Sequence, residues 1–410
     1  MPPFPHSRET ILDHARFPDF RSKGPSPHER LYPGPQFVWW VKMERAALAH
    51  QVLDVCLGLK DSKKLWIDTW NHALELASYL GSEADRRGYP LLLTTKSEEE
   101  WFHSLIEGPL EAFEHVPPQQ AAALEETDAF VFTLGPSHPI PWNRVPAGRH
   151  KAATIWFLED NSFVKEWMAI ATRRRVRMLG LEATLATPAR AQALSLEPEA
   201  WSEAMLEGCM ADYREVADRG LALAPLLEGT EEVHVTSPHG TDLRFRLDRR
   251  RVIVNDGLAT EEKAAHGQVV FLPAGDLEVT AEEESAEGVI VYDQPIHSAG
   301  GAIERLTLSL SEGRIVKAEA NIGLEVFERQ VREGEGDMDR FAFFGFGLNP
   351  RLRHGFTQDD KVLGGLTIGF GRNRDKGGMN RANRDWWASM TQATVTVGGR
   401  IVMEAGNLPV

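Results

Sequence analysis

The hydrophobic period of this chain changes once, near residue 230, and no other feature limits its fold as strongly. Before that point apolar residues recur at helical spacing between short apolar runs; after it they alternate with polar residues. Val41, Leu48, Val52, Val55, Cys56 and Leu59 are separated mostly by three, four and seven, which is a helical face. Ala73, Leu76, Ala77, Leu80 and Ala84 repeat that spacing, and Gly88 closes the segment. Ser97-Glu-Glu-Glu100 predicts a capping box ahead of Trp101, Leu105 and Ile106. Further helices are expected at 119–126 and 161–174. Between them Lys64–Thr69, Leu91–Thr95, Ala129–Leu134, Ala153–Leu158 and Val176–Leu181 read as strands. Strands alternating with helices predict a mainly parallel sheet covered on both faces.

A helical stretch from Pro198 to about Glu228 ends this part, and the period then becomes 2. Val233–Thr236, Thr241–Leu247, Arg251–Val254, Val269–Leu272 and Gly288–Tyr292 are short and rich in β-branched residues. Leu306, Leu308 and Leu310 alternate with Thr307, Ser309 and Ser311, so one face is buried and the other wet. Gly398-Gly399 between Val395–Val397 and Ile401–Met403 is a hairpin signal. The fold class is therefore an α/β domain with a mainly parallel sheet, followed by a β-rich, barrel-like α+β domain. The expected divisions are an irregular arm at 1–36, the α/β domain at 37–230 and the β-rich domain at 231–410. At roughly 150 residues per domain, 410 residues suit such a division.

Charge removes several function classes. The chain carries 45 basic and 60 acidic side chains, a net charge of −15, which opposes general nucleic-acid binding. Runs such as Phe37–Val41 are far too short to span a bilayer, so no membrane partner is expected. The N-terminal MPPFPHSRET has no apolar core of a signal peptide. Two cysteines, Cys56 and Cys209, form no disulfide framework, and a cytoplasmic setting follows as the simplest expectation.

Generic motifs are mostly missing. Gly345-Phe-Gly347 and Gly369-Phe-Gly371 lack a third glycine, and there is no phosphate-binding loop, GxSxG, HExxH or CxxC. Ser162-Phe-Val-Lys165 matches SxxK without its companion motifs and reads as a helix start. His234 and His239 lie five apart and read as packing histidines. Glu333, Glu335, Asp337 and Asp339 lack the spacing of a calcium loop and read as a solvated loop. What remains is the last third. Asp276 closes the tight turn Leu-Pro-Ala-Gly-Asp. Gly364–Gly371 is a strand that another group can approach closely. Arg372, Arg374, Lys376, Arg381 and Arg384 follow it, a candidate anion-binding segment beside Trp386 and Trp387.

At these residues the sequence resembles the thermophilic aminopeptidase family, typified by aminopeptidases T and S, including its dihydroxypyridine dioxygenase branch. The pieces that carry the resemblance are GTDLRF (240–245), LPAGD with EVTAEEESAEGVIV (272–291) and GLNPRL (347–352). QDDKVLGGLTIGFG (358–371), NRANRD (380–385) and GGRIVMEAG (398–406) continue it in the same order. The resemblance implies a homodimer and a site in the β-rich domain, where the family holds two divalent metals with two Glu, two His and an Asp. Carried over by position, the first glutamate is Asp276 and the second falls on Phe343. One histidine falls on Thr367 and the other on Asn383, while the aspartate is kept as Asp385. A family tyrosine is replaced by Arg374 or a neighbour.

A catalytic metal needs about three protein ligands and an open position, so the expectation is no metal and no cofactor. The first reading is a peptide or peptide-like ligand with an anionic group, held in the former cleft by Arg372, Arg374, Arg381 and Arg384. Asn383, Thr367, Phe343, Phe346, Trp386 and Trp387 would complete the surface, and the ligand could be presented to a partner enzyme in a peptide-modification pathway. A second reading is a metal-independent enzyme in which Asp276 and Asp385 divide acid and base roles. A third keeps a dimetal aminopeptidase with His354 or His297 as a ligand.

Overall fold

The computed structural model describes residues 45–60, 63–146, 149, 161–229, 231–298 and 300–409. The arm at 1–36 and the strand expected at Ala153–Leu158 lie outside the described residues. In the first half, β1 (Leu65–Trp70), β2 (Leu91–Lys96), β3 (Ala129–Thr133) and β4 (Arg177–Leu181) pair in parallel, in the order β2-β1-β3-β4. All six residues of β1 and all five of β3 are buried, as expected of strands covered on both faces. The covering helices include Leu74–Arg86, Pro118–Glu125 and Ser162–Arg174. On one face Trp66, Phe130 and Trp167 form an aromatic cluster, with ring centroids 5.0 to 5.4 Å apart. Half of the capping box forms: Glu100 N donates to Ser97 Oγ at 3.3 Å, while the Glu100 carboxylate accepts from Ser104 Oγ at 3.0 Å. Among the described residues no helix is long and apolar enough to cross a membrane.

The second half builds β5 (Glu232–Thr236), β6 (Asp242–Asn255), β7 (Val269–Leu272), β8 (Asp276–Ala281) and β9 (Glu287–Val291). It continues with β10 (Ile296–Ser298), β11 (Gly301–Ile303), β12 (Thr307–Ser311), β13 (Arg314–Glu319) and β14 (Phe341–Gly347). The last strands are β15 (Leu366–Gly371), β16 (Asp385–Met390), β17 (Thr394–Val397) and β18 (Arg400–Met403). Except for β7 and the small β10–β11 hairpin, these strands join one antiparallel, curled sheet. β7 instead adds to the parallel sheet beside β4, with Met178 to Leu181 opposite Val269 to Leu272. The chain thus returns to the α/β sheet after residue 230, and the expected boundary does not separate the two sheets.

β6 turns the corner of the antiparallel sheet. Its first half pairs with β5 and β9, and its second half with β8. The register breaks between Leu247 and Val252, where Arg249 takes φ 48°. Inside the corner Phe245 is buried, its ring 4.9 Å from Phe341 and 4.8 Å from Phe344. Phe245→Ala is expected to cost about 3–5 kcal/mol, read as a lower midpoint in urea unfolding. A loss below about 1 kcal/mol would show that the corner does not depend on this ring.

Candidate functional site

Strand alternation sorts β8, β14, β15 and β16 into a core face and a second face. Leu277, Val279, Phe344, Phe346, Ile368, Phe370 and Trp386 point into the core. On the other face Asp276, Glu278 and Thr280 of β8 lie beside Phe343, Gly345 and Gly347 of β14. Thr367, Gly369 and Gly371 of β15 come next, then Ser389, Trp387 and Asp385 of β16. The two middle strands are therefore lined mostly by glycine, with carboxylates on both flanks. A Cβ on Gly369 would stand 2.2 Å from the Phe343 ring, so the missing side chain is what lets that ring lie flat.

Over this face folds the segment 372–380, and its central side chain is Lys376. Its Nζ donates to Glu278 Oε2 at 2.6 Å, lies 3.9 Å from Asp385 Oδ2 and sits 3.7 Å from the Phe343 ring centroid. Burial alone would lower the Lys376 pKa, but Glu278 and Asp385 outweigh it and raise it, so the ammonium stays charged. Burial raises the Asp385 pKa, opposed by Lys376 and Arg372. Glu283 holds the segment in place. It accepts from Arg250 at 2.5 and 2.8 Å, from Asn373 Nδ2 at 3.0 Å and from Met379 N at 2.7 Å.

A second charged group lies where β8 begins. Asn255 Nδ2 donates to Asp276 Oδ2 at 2.6 Å. Burial raises the Asp276 pKa, reinforced by Asp360 and Glu278, and burial likewise raises that of Asp360. Lys361, next in sequence, donates to Glu182 Oε2 at 2.5 Å and stays charged because Glu182, Asp360 and Asp276 outweigh its burial. Glu182 follows β4, so this group joins the carboxyl end of the parallel sheet to the antiparallel one.

Of the residues singled out in the sequence, Asp276, Phe343, Thr367 and Asp385 share this face. Thr367 Oγ1 is bonded to Ser389 Oγ at 2.8 Å. Arg372 lies toward Asp375 at 3.6 Å, and Arg374 is exposed. The other basic residues do not converge. Arg384 donates to Gln330 O at 2.7 Å, and Arg381 N donates to Asp337 Oδ2 at 2.9 Å, both toward the 330–337 segment. Asn383 Oδ1 likewise accepts from Glu335 N at 3.0 Å. Trp386, expected on the ligand surface, faces the core, stacked on Phe370 at 4.6 Å; period 2 brings Trp387 to the site face instead. Phe346 is also a core residue. His297 Nδ1 is 3.1 Å from Leu194 O, and His354 lies 3.9 Å from Asp359. The acidic run is partly neutralised, since Arg314 pairs with Asp337 at 2.9 Å and Asp339 at 2.7 Å. Among the described residues no three His, Cys, Asp or Glu side chains converge as a metal cage.

Glu278, Lys361, Asp360 and Glu182 were not singled out. Glu278 was accessible to reasoning, being two residues beyond Asp276 on the same strand face; Glu182, far away in sequence, gave no signal.

The sequence model of the thermophilic metalloprotease (M29) family matches residues 42–338. The chain belongs to this family. The match stops just before β14, so it does not reach Phe343, Thr367 or Asp385. Aminopeptidase AmpS of Bacillus subtilis (strain 168) is 29% identical over 97 residues, which is 24% of this chain and 23% of that protein. The chain thus spans about a quarter of that curated relative. Wild-type AmpT from Thermus thermophilus shares the fold with a TM-score of 0.62 at 18% identity, over 89% of this chain and 99% of that one. The 2,5-dihydroxypyridine dioxygenase from Pseudomonas putida KT2440 does so with a TM-score of 0.60 at 17% identity, over 89% and 98%.

The Glu283 clamp gives this family member an acid-sensitive loop. Burial would raise the Glu283 pKa, but Arg250, Met379 N and Asn373 outweigh it and hold it below 4.5. A lowered carboxyl pKa stabilises the fold fully above the unfolded value and ceases to do so as pH falls through the folded one. Trp387 fluorescence is therefore expected to stay constant from neutral pH to about 4.5 and to shift below it. Glu283→Gln should show the shifted signal at neutral pH; an unchanged spectrum would remove Glu283 from this role.

Proposed function

We propose that this chain is a metal-independent member of its family that binds a peptide or peptide-like ligand in the former metal-bearing cleft. The observation that carries the reading is the Lys376 ammonium, held by Glu278, Asp385 and the Phe343 ring. The donor set does not fit a two-metal centre. Phe343 and Thr367 stand at positions the resemblance gives to a glutamate and a histidine, and Asn383 lies off the face. A divalent cation about 4 Å from an ammonium would be repelled by on the order of 8 kcal/mol at an effective dielectric of 20. The ligand would lie along Trp387, which is 42% exposed, with an acidic side chain near Arg372 and Arg374. Its role would be presentation to a partner enzyme, by a homodimer.

A second reading, metal-independent acid–base chemistry, is favoured by one observation: burial raises both Asp276 and Asp360, and Asp360 and Glu278 raise Asp276 further. Carboxyls raised in this way are suited to proton transfer near neutral pH. The pair would then be Asp276 with Asp360, since Asp385 belongs to the Lys376 group. Asp276→Asn would abolish turnover of a bound peptide under this reading, whereas under the first the unaltered protein binds peptide and turns none over.

Two measurements test the first reading. Purified protein is expected to hold far less than one metal per chain by mass spectrometry, and to retain members of a random pentapeptide pool after chelator treatment. Near-stoichiometric zinc, cobalt or iron, or retention lost with chelator, overturns it. Lys376→Met leaves Glu278 without its ammonium partner and Asp385 with Arg372 alone, at about 3–5 kcal/mol, seen as a lower Tm. Millimolar Mn²⁺ should restore part of that Tm in the variant while leaving the unaltered protein unmoved. A variant as stable as the parent would show that the ammonium does not compensate these carboxylates.

A further inference from the structure

The site face ends at Asp276, where the chain leaves β7 at the carboxyl end of the parallel sheet. The same edge continues past β4 and β3 to β1, and carries a second constellation. In the order β2-β1-β3-β4-β7 the chain passes from β1 to β2 on one side, and then to β3 on the other. Where connections part in this way, a ligand can lie outside the carboxyl ends of the strands. His72 follows β1, Gly135–Ser137 follow β3 and Thr184 follows β4, while Arg190 lies on the short helix Pro188–Ala193.

Arg190 is half-buried and built in. Its Nε donates to Pro136 O at 3.0 Å. Its helix is pinned by Thr187, whose Oγ1 accepts from Arg190 N at 3.2 Å and donates to Ser137 O at 2.5 Å. Gly135, at φ +59°, leaves the guanidinium its space: a Cβ there would stand 2.9 Å from Arg190 Nη2. Yet no carboxylate is ion-paired with it among the described residues. Glu98, the acid that acts on it, already accepts from Ser137 N, Ser137 Oγ and His138 N at 3.0, 2.5 and 3.1 Å. Four guanidinium N–H donors are left for something else. His72 lies near it, in the same electrostatic group. Its Nε2 is 3.1 Å from the Thr184 carbonyl, so Nε2 carries the hydrogen and Nδ1 is an acceptor. That buried Nδ1 has no partner among the described residues, and burial keeps the ring neutral.

We infer that Arg190 captures the C-terminal carboxylate of the bound peptide, its guanidinium fork holding the two oxygens, while the buried neutral His72 beside it adds no competing charge. A single cation beside Glu98 suits a monoanion better than a phosphate dianion. The inference rests on the peptide reading above and adds which end of the peptide is held and where. Three strand intervals separate β1 from β7, about 14 Å. An extended peptide of about four or five residues covers that distance at about 3.3 Å each, and so reaches the Asp276 face.

The test uses the full chain and two pools of N-acetylated random pentapeptides, one with free C-termini and one amidated, with retained peptides read by mass spectrometry. Free acids are expected to be retained at least about tenfold more than amides, a difference of about 1.4 kcal/mol. Arg190→Gln, which keeps a donor for Pro136, should remove that preference without lowering Tm. Equal retention of both pools, or an unchanged preference in Arg190→Gln, overturns this inference alone. Retention of neither pool overturns it together with the peptide reading. Inorganic phosphate that displaces the free acids as well as acetate does overturns the assignment to a carboxylate.

Discussion

The three-residue passage from β7 to β8 is the constraint on which the rest depends. β7 is a strand of the parallel sheet and β8 of the antiparallel one, with Pro273, Ala274 and Gly275 between them. Every polar group in that dry turn needs a partner, and each partner comes from a different element. Gly275 N donates to Asn255 O at 2.9 Å, and Ala274 N to the Tyr213 hydroxyl at 3.1 Å. Ala274 O accepts from the fully buried Asn349 at 2.6 Å, and the same amide group reaches Gly208 O at 3.0 Å. Gly275, at φ +125°, passes so close to Asn349 that a Cβ would stand 2.6 Å from it. Asp276 is thereby delivered at one fixed place, where the carboxyl edge of one sheet meets the glycine-lined face of the other.

That junction gathers acid, and acid in a dry setting needs compensation. Asp276, Asp360 and Glu182 surround Lys361, and Glu278 and Asp385 flank Lys376. A lysine differs from a bound metal in ways that decide function. It is covalently present at any metal concentration, carries one positive charge instead of two, donates hydrogen bonds, and polarises no carbonyl as a Lewis acid. A face compensated in this way can hold a ligand or exchange a proton without recruiting a cation. The net charge of −15 thus conceals a local balance in which buried ammonium groups offset buried carboxylates.

Much of this was legible in the sequence because period and turn chemistry are local. The helix–strand alternation before residue 230, the alternation of Leu306, Leu308 and Leu310, and the Gly398-Gly399 hairpin each rest on a few neighbouring residues, and each formed. β7 was legible as a strand but not as a member of the first sheet, since nothing in Val269–Leu272 states which edge it will join. The positions of Asp276, Phe343, Thr367 and Asp385 came through the family resemblance, and strand alternation puts them on one face. The basic run was the least legible. Five positive charges among loop residues do not reveal which turn inward; the Glu283 clamp and the left-handed Gly377 accompany the inward turn of Lys376, while the Arg384 side chain turns to Gln330.

The residues of this face hold one another in place, so single changes there will not add. The Phe343 ring lies flat only because Gly369 has no side chain, and its π face then offers Lys376 a third contact beside two carboxylates. Glutamate at 343 would set three carboxylates about one ammonium and open the space over Gly369. Histidine at 367 would break the Thr367–Ser389 bond and bring a ligand atom toward a site already holding a positive charge. Groups that share partners in this way couple by roughly 0.5–3 kcal/mol per pair. Each intermediate between a lysine-filled face and a metal-bearing one therefore loses existing contacts before it gains a metal ligand set.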